Sequence, residues 1–381
     1  MILSNFQMPK LIFADGALSR LGGEASFFGK KAVLCVSGSS VLSKKADAAL
    51  ASLMASGVSA GIFVCPSGEP DPETFDGCAG FIKGARAEMV VAMGGGSVID
   101  IAKGAAALAV NEGGCEKYIE GVGGEHIKNR PLPFIALPTT SGTGSEMTKN
   151  SVIMRRGSYK NSMRDDLMLA RTAIVDPALT VDLPKKPTVS SGADAVCQLI
   201  ESYTTRHANA VTDGIAITYI KDAIDALIRV AADGSDKSAR AVMSISASMS
   251  GVCLANSGLG LAHGIAAQLG AVCGVPHGIA CGILMPHVAM FNAKKGVHKY
   301  ADIAASLGKS CSNDTDAGRF VADTLFRMNE KIGVPENLKE FRIAASDLDR
   351  VIALTAGSSS AKKNPVDFSA EELGDILRPL I

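Results

Sequence analysis

Apolar positions in the first half of the chain fall in short unbroken runs. Lys31–Val36 (KAVLCV), Ala60–Cys65 (AGIFVC), Met89–Met93 (MVVAM), Phe134–Leu137 (FIAL) and Ala173–Val175 (AIV) are rich in β-branched residues and bounded by Gly, Pro or Asp, a pattern that predicts strands. Helix-length segments at about Ser40–Ser56 and Asp71–Ala87 separate the first three. Continuous apolar strands alternating with helices predict a parallel sheet covered on both faces.

After Asp182-Leu183-Pro184-Lys185-Lys186-Pro187 the strand-like runs stop. Two prolines around a basic pair mark a domain boundary. Beyond it the chain is Ala-rich with helical periodicity over about 188–206, 209–231, 237–255, 259–272, 278–292, 314–332 and 346–357. The expected architecture is therefore an α/β domain over 1–184 followed by an all-α domain over 185–381. Gly357–Pro365 (GSSSAKKNP) reads as an exposed loop.

Length and charge narrow the function. The 381 residues suit about two domains at roughly 150 residues each. Lys+Arg 38 against Asp+Glu 38 leaves no net charge to attract nucleic acid or an anionic membrane. The most apolar stretch, Met89–Val110, is broken by Gly94–Gly96, Asp100 and Lys103 and falls short of a spanning helix. MILSNFQMPK at the start has no basic segment followed by an apolar run, so a cytoplasmic protein is expected. Nine scattered cysteines without a C-x-x-C pair read as small buried apolar residues of a reducing compartment. Only six histidines are available for imidazole chemistry.

Two loops carry candidate phosphate chemistry. Gly94-Gly95-Gly96-Ser97 follows a predicted strand and opens a helix containing Asp100. Glycines let the backbone approach a ligand, and a helix start offers free N–H groups to a pyrophosphate. Pro138–Glu146 (PTTSGTGSE) also follows a strand and is rich in hydroxyls; it suits a dinucleotide or, alternatively, a helix cap. Together they point to one ligand at the sheet edge, a nicotinamide dinucleotide first. The loop Ser37-Gly38-Ser39-Ser40, with Lys44 and Lys45 nearby, lacks the acidic residue of an NAD-selective site. NADP(H) is therefore expected to be accepted.

In the helical half, Asp194 and Gln198 are four apart on one helix face. His263 (GLGLAHG) and His277 (GVPHG) are 14 residues apart. One carboxylate, one amide and two imidazoles can surround a divalent cation, though a histidine beside Gly and Pro is also a common structural feature.

At this point the chain resembles the iron-containing (group III) alcohol dehydrogenase family. The match spans nearly the whole sequence through GGGSVIDIAK, PTTSGTGSEMT, AIVDPALTVDLP, GADAVCQLIESY, NSGLGLAHGIAAQLGAVCGVPHG, LMPHVAMFN and Asn364-Pro365. The resemblance implies an N-terminal dinucleotide-binding domain, a helical C-terminal domain, and a cleft holding NAD or NADP and a divalent metal, iron or zinc. It places cofactor contacts at Ser39, Asp71, Gly95, Gly96, Ser97, Asp100, Thr139, Thr140, Thr148, Asn150, Lys160 and Leu179, and metal ligands at Asp194, Gln198, His263 and His277. It also implies a homodimer or larger assembly.

Two positions depart from the family pattern. Gln198 stands where the second ligand is usually His, and Ala267 where a His near the substrate is often found. A neutral amide oxygen is harder than imidazole, which predicts weaker binding shifted from the softer metals. Hydride transfer between nicotinamide and a small alcohol or its aldehyde or ketone is the implied reaction, and no residue stands out as its general acid or base. Rivals are a metal-independent reductase of the maleylacetate reductase type, a dehydroquinate-synthase-like lyase, and a non-catalytic nucleotide-binding paralogue. His207 reads as a surface cap, His126 and His298 as exposed, and His287 as packing; Cys197 and Cys273 read as core residues.

Overall fold

The computed structural model describes residues 5–381, which form two compact units, Met8–Asp182 and Leu183–Ile381, the latter joined by residues 5–7. Gln7 exchanges backbone hydrogen bonds with the Asn256 side chain, which fastens that short segment to the second unit.

The first unit is built on strands β1 (Lys10–Phe13), β2 (Lys31–Ser37), β3 (Ser59–Cys65), β4 (Met89–Gly94), β5 (Phe134–Pro138) and β8 (Thr172–Val175). They form one sheet in the order β1-β8-β5-β4-β2-β3, parallel at every pairing. Alternation along the strands feeds two cores. Val33, Cys35, Val90, Ala92, Phe134 and Ala136 face one side, while Leu34, Val36, Val91, Met93, Ile135 and Leu137 face the other. Helices α4 (Pro72–Gly84) and α5 (Gly96–Leu108) pack on the first face, and α1 (Leu21–Ser26) and α3 (Lys45–Ala55) on the second. Covering both faces is what lets these strands be apolar throughout.

Three features of this unit differ from the sequence expectation. The helix expected over 40–56 is two helices, α2 (Gly38–Leu42) and α3, separated by Lys44 in the left-handed region. Strand β1 went unpredicted because it is a four-residue sheet edge with no fully buried position. The antiparallel hairpin β6 (Asn150–Arg155) and β7 (Tyr159–Arg164) has too polar a sequence, YKNSMR in its second strand, to show a strand pattern.

The second unit is helical: α6 (Lys185–Thr204), α7 (Ala210–Ala232), α8 (Lys237–Ser257), α9 (Leu261–Cys273), α10 (His277–Lys294), α11 (Lys299–Ser306), α12 (Asp314–Ile332), α13 (Ala345–Thr355) and α14 (Ala370–Leu377), with 3-10 turns at Lys339–Phe341, Ala361–Lys363 and Arg378–Leu380. Helix α6 packs against α7, α8 and α10, and every residue from Gly192 to Thr204 is buried. A helix enclosed on all sides must satisfy its polar groups internally. Asp194, Gln198 and Glu201 lie on such a helix. The segment 357–365 is less exposed than expected. Ala361 and Asn364 are buried, and the Asn364 amide bonds Asn292, Leu261 and Val366. Among the described residues no single helix is long and apolar enough to cross a membrane.

Candidate functional site

Asp194 and Glu201 are seven residues apart on α6, two turns along one face. Glu201 is buried, and its carboxylate accepts hydrogen bonds from the backbone N–H groups of Gly260, Ala262 and His263 at 3.0, 2.6 and 3.3 Å. Those are orphan donors at the start of α9, where the helix dipole favours a negative charge. Asn364 takes the Leu261 N–H at 3.3 Å. The same Glu201 carboxylate lies 2.7 Å from His263 Nδ1. Holding Nδ1–H there turns Nε2 toward Asp194 Oδ1, 3.0 Å away.

His277 opens α10, and its Nε2 is 3.7 Å from the same Asp194 oxygen. Gly278 makes this crossing possible. A Cβ there would lie 1.9 Å from the Ser190 carbonyl oxygen, so only glycine lets α10 start against α6. The two imidazoles meet edge to face at 5.4 Å. Cys281, one turn along α10, brings its Sγ to 3.8 Å from His277 Nε2. One donor atom from each of Asp194, His263, His277 and Cys281 lies within 4.8 Å of all the others. Gln198 sits one turn after Asp194, with its Oε1 accepting from the Ser250 hydroxyl at 2.7 Å.

The electrostatics match this crowding. Burial disfavours a charged His263, but Cys281, Asp194 and Glu201 outweigh it and hold the imidazole well above its ordinary pKa. Burial likewise pushes the Cys281 thiol up, while hydrogen bonding to Cys197 and the two imidazoles brings it well below the ordinary thiol value. Cys197, enclosed and beside Cys281, Glu201 and Asp194, is pushed up. The cysteines of this cluster are therefore more than the apolar filling the sequence suggested. Cys197 Sγ is 3.6 Å from His263 Nδ1, and Cys281 is part of the donor set.

The nucleotide-type loops lie at the carboxyl ends of adjacent parallel strands. Chain order reverses between β2 and β4, the place where open parallel sheets form a ligand crevice. Ser39 follows β2, is exposed, and shares a 2.9 Å hydroxyl contact with Ser37. Gly95 caps α5, and Gly96 and Ser97 form its first turn, half-buried. Thr139 and Thr140 follow β5, also half-buried, and the Thr139 N–H bonds the Gly94 carbonyl at 2.9 Å. A Cβ at Gly96 would stand 2.7 Å from the Thr143 side chain. The glycine thus lets the two loops close on each other as well as baring the helix start.

Asp100, Thr148 and Asn150 belong to a buried network around Lys103. Its ammonium donates to the Ser145 carbonyl and hydroxyl, Thr148 Oγ1 and the Asn150 carbonyl at 2.7–3.1 Å. Asp100 accepts from the Ser145 hydroxyl and from the Val152 N–H at 3.0 Å. Burial pushes Asp100 up and Lys103 down, each partly offset by the other. Asp71 is exposed at the start of α4 and accepts the Thr74 N–H at 2.8 Å. Lys160 pairs with Glu69 at 2.8 Å. Leu179 is buried, and its carbonyl accepts from Lys45, which also pairs with Asp182 at 3.4 Å.

The other histidines fall outside the cluster. His126 and His207 are exposed, His298 pairs with Asp314, and His287 is half-buried edge-on to Phe326 at 5.2 Å. Glu201 and Cys281 are the residues the sequence reading passed over. Their signal was spacing: Glu201 is seven after Asp194, and Cys281 four after His277.

Comparison with known proteins gives a consistent picture. The family model "Iron-containing alcohol dehydrogenase" matches residues 9–177, and "Fe-containing alcohol dehydrogenase family, C-terminal" matches residues 188–381. An NAD-dependent methanol dehydrogenase of Bacillus methanolicus is 31% identical over 384 residues, covering 99% of each chain. Among solved structures, a 1,3-propanediol oxidoreductase superposes with a TM-score of 0.94 at 28% identity over 99% of both chains. A sulfoacetaldehyde reductase from Bifidobacterium kashiwanohense, in complex with NAD+, does so with a TM-score of 0.91 at 27% identity, covering 100% of this chain and 99% of that one.

Proposed function

The chain belongs to the iron-containing alcohol dehydrogenase family, and from that premise we infer that it interconverts a small alcohol and its aldehyde or ketone using a nicotinamide dinucleotide. The observation that carries the reading is the donor set at Asp194, His263 and His277. Separations of 3.0 and 3.7 Å between Asp194 Oδ1 and the two Nε2 atoms fit donors sharing one small divalent ion. Glu201, on the far side of the His263 ring, supplies the carboxylate that orients such ligands.

Asp194, His263 and His277 would hold the divalent metal, which would supply Lewis acidity for the alcohol or carbonyl oxygen, and the dinucleotide would supply the hydride chemistry. Gln198 stands on the same helix face as Asp194. Glu201 keeps the His263 proton on Nδ1 and leaves the Nε2 lone pair for coordination.

In the first unit, the backbone amides of Gly95, Gly96 and Ser97 at the α5 start bind pyrophosphate. Thr139 and Thr140 offer hydroxyls beside them, and Ser39 meets the adenine ribose. Asp100, Thr148 and Asn150 brace this loop through Lys103; Asp71, Lys160 and Leu179, at positions matching the family's cofactor contacts, are assigned further contacts to the dinucleotide. The β2 loop carries small hydroxylated residues in place of an acid, which supports acceptance of both NAD(H) and NADP(H). Lys45 is engaged by Leu179 and Asp182, so Lys44 is the cation left for a 2′-phosphate. Comparing kcat/KM with the two cofactors tests this, and a strict NAD(H) preference would remove NADP(H).

All nine cysteines are free, in keeping with a reducing cytoplasm. A homodimer or larger assembly is checked by light scattering. The central test is Asp194→Ala, expected to lose bound metal and aldehyde reduction together. Full activity in the metal-depleted wild type would instead favour a metal-independent reductase.

A further inference from the structure

Cys281 is fully buried; Cys197, 3.6 Å from His263 Nδ1, groups with Glu201, whereas Cys281 groups with Asp194 and both imidazoles. Cys35, equally buried, faces Cys78 at 3.7 Å within an apolar core. Cys281 instead shares its space with the Asp194 carboxylate and the His263 and His277 rings, every donor atom within 4.8 Å of every other. Donors at about 2.0–2.3 Å from a tetrahedral ion stand about 3.3–3.8 Å apart. The observed 3.0, 3.7 and 3.8 Å separations need only small adjustments to reach that shell. Gln198, by contrast, has its carbonyl oxygen hydrogen-bonded to the buried Ser250 hydroxyl.

We propose that Cys281 is a metal ligand, its sulfur joining Asp194, His263 and His277 in a two-nitrogen, one-oxygen, one-sulfur set. The inference rests on the reading that these three residues hold a divalent metal. On binding, the S–H bond breaks, its proton leaves to solvent, and a sulfur lone pair forms the bond to the ion; no oxidation state changes. A thiolate is soft and charged, so it moves the site toward zinc, opposite to the shift expected from an amide at Gln198.

X-ray absorption on the zinc-loaded wild-type protein reads the sulfur directly, without relying on a variant that folds. One sulfur scatterer at about 2.3 Å is expected. The cobalt(II)-loaded protein should also show a sulfur-to-cobalt charge-transfer band. The band should vanish in Cys281→Ser and remain in Cys197→Ser and Gln198→Ala. Zinc affinity in Cys281→Ser should fall further than the roughly 10–100-fold that loss of an outer partner costs. A nitrogen- and oxygen-only shell in the metal-loaded wild type overturns the inference and leaves the three-residue metal reading standing, as does a band that persists in Cys281→Ser. Failure of the wild type to take up any metal overturns both.

Discussion

Glu201 concentrates two duties in one side chain. It receives three backbone N–H groups of the α9 start and the Nδ1 side of His263. Glu201→Gln keeps the volume but loses the charge and sets an NH2 group against donors. Metal affinity is expected to drop about 10–100-fold, and stability to fall by about 1–3 kcal/mol. Chelator competition and denaturant unfolding measure the two effects, and an unchanged affinity would mean Glu201 does not orient His263. Asp71 offers a simpler case at the start of α4. Its bonds to Thr74 hold the carboxyl below its ordinary pKa. A depressed carboxyl contributes stability above its unfolded pKa and loses it as pH falls through the folded value. Asp71→Ala should therefore cost about 1 kcal/mol near neutral pH, with a shrinking difference from wild type in acid. A difference independent of pH would separate the effect from this cap.

Elements reach their positions through close crossings that single atoms control. Helix α10 begins against the backbone of α6, where a Cβ at Gly278 would overlap the Ser190 carbonyl. Backbone cannot turn aside as a side chain can, so Gly278→Ala should destabilise by about 2 kcal/mol or more. It should also displace His277 and weaken metal binding. The corresponding clash at Gly96 is with the Thr143 side chain, which can rotate. Gly96→Ala is thus expected to fold with a smaller loss, its main effect being a raised KM for the dinucleotide. Equal thermal shifts in the two variants would contradict this difference.

Over the whole molecule, the two proposed ligands divide between the two units. The donor set lies in the helical unit and the phosphate-type loops in the sheet unit. Each ligand should stabilise by mass action, about 2.7 kcal/mol at one hundred times its Kd. Chelation is accordingly expected to lower the melting of metal-loaded protein. Added NAD+ should raise melting in both Asp194→Ala and wild type. Loss of that response in Asp194→Ala would tie nucleotide binding to the metal. Much of this organisation was legible beforehand. Strands β2, β4, β5 and β8 announced themselves because a sheet covered on both faces makes its strands apolar throughout. The hairpin β6–β7 stayed hidden because cross-strand pairing leaves no mark in a polar sequence. Spacing along α6 put Asp194 and Gln198 on one face, since residues on one helix keep a fixed period. No such period links α6 to α9 and α10. By itself, the sequence determined the fold class, a parallel sheet followed by helices, and named the residues available as ligands. Only tertiary structure decided which side chains share a point in space. Distance between helices depends on packing, and packing brought Glu201 to the back of His263 and Cys281 beside His277.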